Sequence, residues 1–309
     1  MGRWQIYATP KKATVKKYYL LVNPAGGTKK GMEILEMVKP IFEKSEVHLD
    51  ILQTEYAGHA NELANTLDLS GYSGLCAIGG DGTLFEMVNG MLKRKDNQNF
   101  PLGLITGGTG NAFMHDLNCL DPIEASERII KGNLRSVDIA RVETPNNFYF
   151  SFNIIGWGLV ADAGYLAEYF RLLGGLRYDV ASILEVLKGK RRISRLVLDG
   201  EVVDDDFVFV IACNTIHTGK AMRIAPNAKF DDGKIDLIIV RNASKTELLK
   251  LFPKLFTGEH VKSKLVECRQ VQKFSIISDE NSSLIIDGEL IGSTPVHVTM
   301  EPKKINVLV

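Results

Sequence analysis

The segment GGDGT (79–83) places a carboxylate in the middle of a glycine loop. The loop follows the apolar run 75–78, and Thr83 and Glu86 have the spacing of a capping box at a helix start. Such loops attract phosphate, because free backbone N–H groups and the positive helix end both favour anions. Asp81 would repel a polyphosphate unless a divalent cation bridges them or the carboxylate faces an incoming alcohol. The loop therefore predicts phosphoryl transfer, with simple N-capping by Asp81 as the alternative.

Two other glycine motifs, NPAGGTKKG (23–31) and GGTGNAF (107–113), also follow apolar runs. Open α/β sheets bind ligands at the carboxyl ends of their parallel strands, so the three loops are predicted to surround one phosphate-bearing ligand. The sequence contains no G-x-x-x-x-G-K-[ST] motif and no dinucleotide-binding G-x-G-x-x-G with its acidic partner. The phosphate site is therefore expected to be of another type.

The elements that must position these loops differ between the two halves of the chain. Up to about residue 140, short apolar runs alternate with helical patterns, which predicts a doubly wound α/β unit with a parallel sheet. Asp121 before Pro122 marks one helix start in this half. The later chain is rich in β-branched and aromatic runs, which predicts a mainly antiparallel sheet interrupted by helical stretches at 164–188 and 245–256.

Composition narrows the functional class. Lys plus Arg and Asp plus Glu both number 37, so the formal charge is zero and nucleic acid is not an expected partner. The four cysteines are scattered and form no C-x-x-C pair, which is typical of reduced thiols in the cytoplasm. We expect a cytoplasmic protein whose contact with membranes, if it has any, is local and peripheral.

The order and spacing of several motifs resemble the diacylglycerol kinase and sphingosine kinase superfamily, including bacterial relatives of the YegS and BmrU type. The motifs are LLVNPAGG, TEYAGHANELA, GGDGTLFEMVNG, PLGLITGGTGNAF, GWGLVAD, IAPNAKFDDGKIDL and IDGEL. The resemblance implies ATP- and Mg²⁺-dependent phosphorylation of a lipid hydroxyl. It also implies a nucleotide-binding α/β domain (1–140, with a returning strand at about 300–309) and a β-rich, sandwich-like lipid-binding domain (141–299).

The same resemblance assigns residues to the nucleotide and to the reaction. The residues that it places at ATP are Asn23, Gly26, Gly27, Thr54, Gly79, Gly80, Gly82, Thr83, Gly108, Thr109 and Asn111. It places Asp81 and Glu289 as an acidic pair beside the transferred phosphoryl group, one as general base and one near the metal. Which residue has which role stays open. From the sequence alone, Asp287-Gly288 is a common hairpin turn, after which Glu289 would simply face solvent.

Further residues are assigned to the lipid and to a second cation. The resemblance places Glu86, Asp162 and His217 on the substrate side, with a structural histidine as the alternative at His217. It also implies a structural Mg²⁺ site at Lys229, Asp232 and Lys234, the two lysines binding through carbonyl groups. An ordinary Asp-Gly turn is the alternative there.

The nature of the lipid is less clearly marked. Gly164 stands where sphingosine kinases carry a second acid for the lipid amine, and a buried amine without a counter-charge is costly. Diacylglycerol-like, sphingoid and ceramide-like acceptors therefore all stay open. The stretch 164–188 could cover an acyl chain, touch a membrane or simply pack as a helix, and basic residues follow it at 188–192. The alternative functions are an NAD kinase, which shares GGDGT, and a catalytically silent lipid- or nucleotide-binding regulator.

Overall fold

A computed structural model of the chain describes residues 15–27, 29–170, 176–219, 221–278 and 280–309. Thr28 of the first glycine loop and residues 171–175 of the long helical stretch lie outside the described residues. The elements of the first half are β1 (Lys17–Val22), α1 (Gly31–Lys44), β2 (His48–Gln53), α2 (His59–Thr66), β3 (Gly74–Gly79), α3 (Asp81–Leu92), β4 (Leu102–Thr106), α4 (Ala112–Asp116) and α5 (Pro122–Lys131).

The first half has the predicted doubly wound arrangement. Its strands pair in parallel in the order β2-β1-β3-β4. Every residue of β3 and β4 is buried, as expected for strands whose two faces are both covered. The Asp121 carboxylate accepts hydrogen bonds from the N–H groups of Ile123 and Glu124, which confirms the predicted start of α5.

The second half is mainly antiparallel β, also as predicted. Its elements are β5 (Leu134–Glu143), β6 (Phe148–Ser151), β7 (Ile154–Gly158), α6 (Leu159–Tyr169), α7 (Arg177–Lys188), β8 (Arg192–Leu198), β9 (Glu201–Cys213), β10 (His217–Thr218), β11 (Met222–Arg223), β12 (Ile235–Arg241), α8 (Lys245–Leu251), α9 (Lys254–Thr257), β13 (Val266–Val271), β14 (Lys273–Ser278), β15 (Ser283–Ile286), β16 (Glu289–Ser293) and β17 (Val296–Leu308). Within the helical stretch predicted at 164–188, the residues that the structure describes form two helices, and the first begins earlier, at Leu159.

The last strand joins the two halves. β17 pairs antiparallel with β5 and β14, and near its end Val307 pairs in parallel with Leu102 of β4. A large apolar core therefore runs through both halves, and a smaller one lies between the second-half sheet and α7 and α8. The shared core and the pairing of β17 join the two halves.

The predicted capping box at the start of α3 is wrong. α3 begins three residues earlier than a capping box at Thr83 requires, at Asp81, with Gly80 as its N-cap. Thr83 is therefore inside the helix, where its buried hydroxyl accepts from Asn23 Nδ2 at 3.3 Å. Glu86 points away from its own helix start and accepts from the N–H groups of Gly58 and Ala60 at 2.8 and 3.0 Å, which caps α2 instead.

In the part of the chain that the structure describes, no helix has the length and apolar character needed to cross a membrane. All four cysteines are free, and Cys76, Cys119 and Cys213 are buried.

Candidate active site

A cavity of about 850 Å³ lies between the two halves. The predicted residues that line it are Asn23, Gly26, Gly27, Thr54, Gly80, Asp81, Gly82, Thr83, Glu86, Gly108, Thr109 and Glu289. The three glycine loops therefore meet in one place. Those predicted residues that do not line the cavity are Gly79, Asn111, Asp162, His217, Lys229, Asp232 and Lys234.

The glycines are needed because the three loops touch one another through their backbones. A Cβ on Gly27, whose φ is +49°, would lie 2.8 Å from the Cα of Gly108. A Cβ on Gly80 would lie 2.9 Å from the same atom. No side chain fits between these loops, so their N–H groups and carbonyls form this part of the cavity wall.

Two of the predicted nucleotide residues shape the loops from outside the cavity. A Cβ on Gly79 would lie 2.5 Å from Thr83 Oγ1, so this position has to be glycine for α3 to begin where it does. Asn111 adopts a left-handed conformation with φ of +48°, and its Nδ2 donates to the carbonyl of Gly108 at 2.9 Å. Both residues hold the loops in position.

Asp81 is held at the junction of two loops. Its carboxylate accepts from the N–H of Ala112 at 2.9 Å and from that of Phe113 at 3.2 Å, at the start of α4. Burial raises the pKa of Asp81, and these two hydrogen bonds and the nearby His115 oppose the rise. The carboxylate thus caps the helix after the third loop, while it lines the cavity.

Glu289 reaches the same gap from the second half. Its Oε1 lies 3.3 Å from the position that a Cβ on Gly82 would occupy, next to Asp81 in the chain. Glu289 is exposed to solvent, but partial desolvation by the cavity wall, followed by repulsion from the carboxylates of Glu86 and Glu168, raises its pKa. Two carboxylates with raised pKa values, one from each half, therefore face one gap, which is typical of acid–base sites.

The turn before Glu289 is a hairpin turn, as the sequence indicated, but it is not exposed at Asp287. The Asp287 side chain is buried and accepts four hydrogen bonds, from Ser151 Oγ and from the N–H groups of Phe152, Asn153 and Ile154. Burial raises the pKa of this carboxyl to about 7 against the opposing effect of these bonds. The sequence analysis did not find Asp287, whose only signal was its place beside Gly288.

The remaining predicted residues lie at other contacts. Asp162 does not line the cavity; Arg192 Nη2 donates to both of its carboxylate oxygens, at 2.8 and 2.7 Å. His217 Nδ1 lies 3.0 Å from Asp116 Oδ2, beside Thr218, which does line the cavity.

At the segment predicted to bind a second cation, Asp232 Oδ1 accepts from the N–H of Lys234 at 3.0 Å, a turn contact of the kind that Asp-Gly sequences form. The described residues contain no cluster of three or more His, Cys, Asp or Glu that could hold a metal ion.

The far end of the cavity is apolar. Its wall is formed by side chains of β9, the segment after β11, and α8 with the residues that follow it. Representative residues are Phe209, Ile211, Ile224, Leu248, Leu251 and Phe252. One cavity is therefore lined by the backbone of the glycine loops, by several carboxylates and by a cluster of apolar side chains.

Comparisons with known proteins identify the family of the chain. Residues 17–142 match the family model of the diacylglycerol kinase catalytic domain, and residues 153–309 match that of the YegS C-terminal NAD kinase beta sandwich-like domain. Sphingosine kinase 2 of Arabidopsis thaliana is 31% identical over 89% of this chain and 68% of its own length. The chain belongs to the diacylglycerol and sphingosine kinase family of lipid kinases.

Other members of the lipid kinase family match over nearly their whole length. The diacylglycerol kinase of Bacillus subtilis is 28% identical over 94% of this chain and 98% of its own. A solved structure from Bacillus anthracis, provisionally assigned as a diacylglycerol kinase, superposes with a TM-score of 0.81 at 26% identity, covering 96% of this chain and 98% of that one. The resemblance and the fold class predicted from the sequence are confirmed, and this lipid kinase uses ATP as its phosphoryl donor.

Proposed function

We propose that this lipid kinase transfers the γ-phosphoryl group of ATP to the hydroxyl of a lipid bound in the same cavity. The observation that carries the proposal is the continuity of the cavity from the glycine loops, past Asp81 and Glu289, to the apolar end. ATP lies against the loops, the hydrocarbon part of the lipid lies against the apolar wall, and the reacting groups meet between the two carboxylates. An NAD kinase would have no use for the apolar end.

The charges in the cavity support Mg²⁺ as the counter-ion of the triphosphate. Among the described residues, its lining contains six carboxylates and one guanidinium, that of Arg177; the carboxylates are Glu55, Asp81, Glu86, Asp179, Asp287 and Glu289. A polyphosphate requires positive charge there, and Mg²⁺ typically binds through one or two carboxylates together with substrate phosphates. Asp81 and Glu289 have the oxygen ligands that this mode needs. When bound, Mg²⁺ would neutralise negative charge on the phosphoryl group that is transferred.

The two carboxylates divide the remaining chemistry. One accepts the proton of the attacking lipid hydroxyl, and the other lies near the metal. A raised pKa makes a carboxylate a better proton acceptor once it is ionised, because basicity increases with pKa. The helix-capping contacts of Asp81 and the buried turn before Glu289 fix both groups in advance of the reaction.

The acceptor is proposed to be a diacylglycerol-like or ceramide-like lipid rather than a cationic sphingoid base. Asp162, the acid considered for an amine, is already neutralised by Arg192. Moving it to an amine would leave the guanidinium buried without its partner, at a cost of several kcal/mol, about 3–5 for pairs of this kind.

A local membrane contact is proposed at the helices beside the cavity. α7 lines the cavity with Ser182 and Val186 and exposes Ile183, Leu184 and Leu187 on its other side. The exposed apolar side chains would rest on a lipid surface, so that a lipid enters the cavity without crossing water.

The division of the chain into domains is likewise a proposal. We place the nucleotide-binding domain at 1–140 with the strand of about 300–309, and the lipid-binding domain at 141–299. The pairing of Val307 with Leu102 supports the return of the last strand.

The direct test is transfer of label from γ-labelled ATP to diacylglycerol, monoacylglycerol, ceramide and sphingosine. Labelled diacylglycerol or ceramide is expected, with little labelled sphingosine. The Asp81→Asn variant should lose about 10³-fold in transfer because it loses the charge. Its amide must turn an N–H group towards the backbone N–H of Ala112 or Phe113, but the other contacts of the loops are unchanged, so its ATP affinity should stay within a few fold. ATP binding without any labelled lipid would instead support a silent regulator.

A further inference from the structure

Two buried side chains, Asn89 and Asp287, connect the elements that carry Asp81 and Glu289. We propose that they are positioning residues that together set the separation of the two reactive carboxylates. The inference rests on the proposed function, since it assigns these side chains to the same reaction. Neither residue is part of the nucleotide loops.

Asn89 ties the helix of Asp81 to strand β6. It lies on α3 about two turns after Asp81 and is only 2% exposed. Its Nδ2 donates to the carbonyl of Phe150 at 2.9 Å and to that of Phe85 at 3.0 Å, and its Oδ1 accepts from the N–H of Phe150 at 2.9 Å. Both backbone polar groups of Phe150 are therefore bound to one side chain of α3.

Asp287 ties the turn of Glu289 to the residues that directly follow Phe150. It is 5% exposed, and its carboxylate accepts from Ser151 Oγ at 2.7 Å and from the next three backbone N–H groups, those of residues 152–154, at 2.9 Å each. The N–H of Asp287 also donates to the carbonyl of Ile154 at 2.8 Å. The turn is thus fixed through its side chain and its backbone.

The two contacts form one path. It runs from Asp81 along α3 to Asn89, across to Phe150, through Ser151–Ile154, and by Asp287 to Glu289. The polar contacts along this path are buried, where hydrogen bonds are stronger and costly to break. Asp81 and Glu289 come from different halves of the chain, so only contacts between the halves can fix the gap between them. A displacement of about 1 Å at a reacting group can cost about 100-fold in rate.

The test compares Asp287→Asn with Asp199→Asn. Asp199 occupies an equivalent Asp-Gly turn, with φ of +49° against +50° for Asp287, and accepts from the N–H groups of Gln272 and Lys273, outside the cavity lining. In Asp287→Asn, the amide must turn an N–H group towards backbone donors. We expect kcat for lipid phosphorylation to fall about 100-fold in Asp287→Asn. The KM for ATP and the Kd for ATP should both stay within about threefold of the wild-type values. Asp199→Asn should stay within about twofold of the wild type.

Asn89→Leu provides the second arm, with Asn65→Leu as its control. Asn65 lies on α2, and its Nδ2 donates to the carbonyl of Gly90 on α3 at 3.1 Å. It therefore joins α3 only to another helix of the same half. Asn89→Leu should lower kcat by a factor similar to that of Asp287→Asn, and Asn65→Leu should leave kcat within about twofold of the wild type.

If either buried variant fails to fold, Ser151→Ala removes one donor to Asp287 while leaving the backbone donors in place. It should lower kcat about tenfold without changing ATP affinity. An unchanged kcat in Ser151→Ala or Asp287→Asn would overturn the proposal. So would a loss of kcat matched by an equal loss of ATP affinity, since that would show a general structural role. A wild-type protein that binds ATP but labels no lipid would overturn the proposed function itself.

Discussion

The second half of the chain contains two turns of nearly the same sequence, Leu198–Glu201 (LDGE) and Ile286–Glu289 (IDGE). Both join neighbouring antiparallel strands through an Asp-Gly pair. Their aspartates have φ of +49° and +50°, and their glycines +102° and +94°. Positive φ at both central positions is what a type I′ hairpin requires, so the local sequence accounts fully for the shape of both turns.

The surroundings of the two turns differ completely. At the turn Leu198–Glu201, called the outer turn below, Asp199 is exposed and Glu201 forms a surface ion pair with Arg269. At the turn Ile286–Glu289, called the inner turn below, Asp287 is buried against Ser151–Ile154, and Glu289 faces Gly82 and the cavity. The difference shows that chemistry is conferred on a hairpin turn by the elements packed against it.

The largest contrast is expected from the two glutamates. Glu289→Gln removes a charge from the reaction gap and should lower kcat by about 10²–10³-fold, whereas Glu201→Gln at the outer turn should leave it unchanged. Both variants are measured by label transfer from ATP to lipid at saturating ATP. Equal activities of the two variants would remove Glu289 from the mechanism.

A smaller contrast is expected from the glycines that follow the aspartates. A Cβ on Gly200 or Gly288 meets no atom within 4 Å, so alanine introduces only backbone strain at positive φ. Gly200→Ala and Gly288→Ala should each lower the free energy of unfolding by about 1–2 kcal/mol in denaturant titrations. Only Gly288→Ala should also lose activity, and a loss of activity in both would break the comparison.

The pH dependence of activity sharpens the comparison further. Glu289 must be ionised both to accept a proton and to bind a cation. Activity should therefore fall as the pH decreases through the pKa of Glu289, which is raised above that of an ordinary glutamate. Glu168→Gln removes a neighbouring negative charge, which lowers that pKa and should move the acidic limb of kcat/KM to lower pH. The free energy of unfolding depends on pH in the opposite direction. A carboxyl whose pKa is raised in the folded state stabilises the protein below its unfolded-state pKa, and this contribution is lost as the pH rises through the raised pKa. An acidic limb that does not move in Glu168→Gln would contradict the electrostatic assignment.

The smallest effect is expected at the outer ion pair. The Glu201 and Arg269 side chains are both solvent-exposed, so Glu201→Gln should lower the free energy of unfolding by less than about 1 kcal/mol, and less still at high salt. Thermal melting at two salt concentrations measures this difference. A large, salt-independent loss would show that the outer turn is not the simple surface turn assumed in the comparison.

Much of the fold could be predicted from local pattern. The alternation of apolar runs with helical segments predicted the parallel strands β1–β4, and the Asp-Pro pair at 121–122 predicted the start of α5. The start of α3 was misplaced because Thr83 and Glu86 have capping-box spacing but bond to Asn23 and to the start of α2. Such partners come from other segments, which a local pattern cannot reveal.

The candidate site divides in the same way. The glycine loops could be found because close backbone approach leaves a visible trace in the sequence. Asn89 and Asp287 could not, because their partners at Phe150 and Ser151–Ile154 are 61 residues or more away in the chain. The role of Asp162 also depends on a distant partner, because only the fold brings Arg192 beside its carboxylate.

The most direct test of the account is a structure of this kinase with a non-hydrolysable ATP analogue, Mg²⁺ and diacylglycerol. We expect the γ-phosphate and the lipid hydroxyl to meet between the carboxylates of Asp81 and Glu289, with the acyl chains against the apolar wall. A nucleotide whose γ-phosphate lies outside this gap, or a lipid bound elsewhere on the protein, would contradict it.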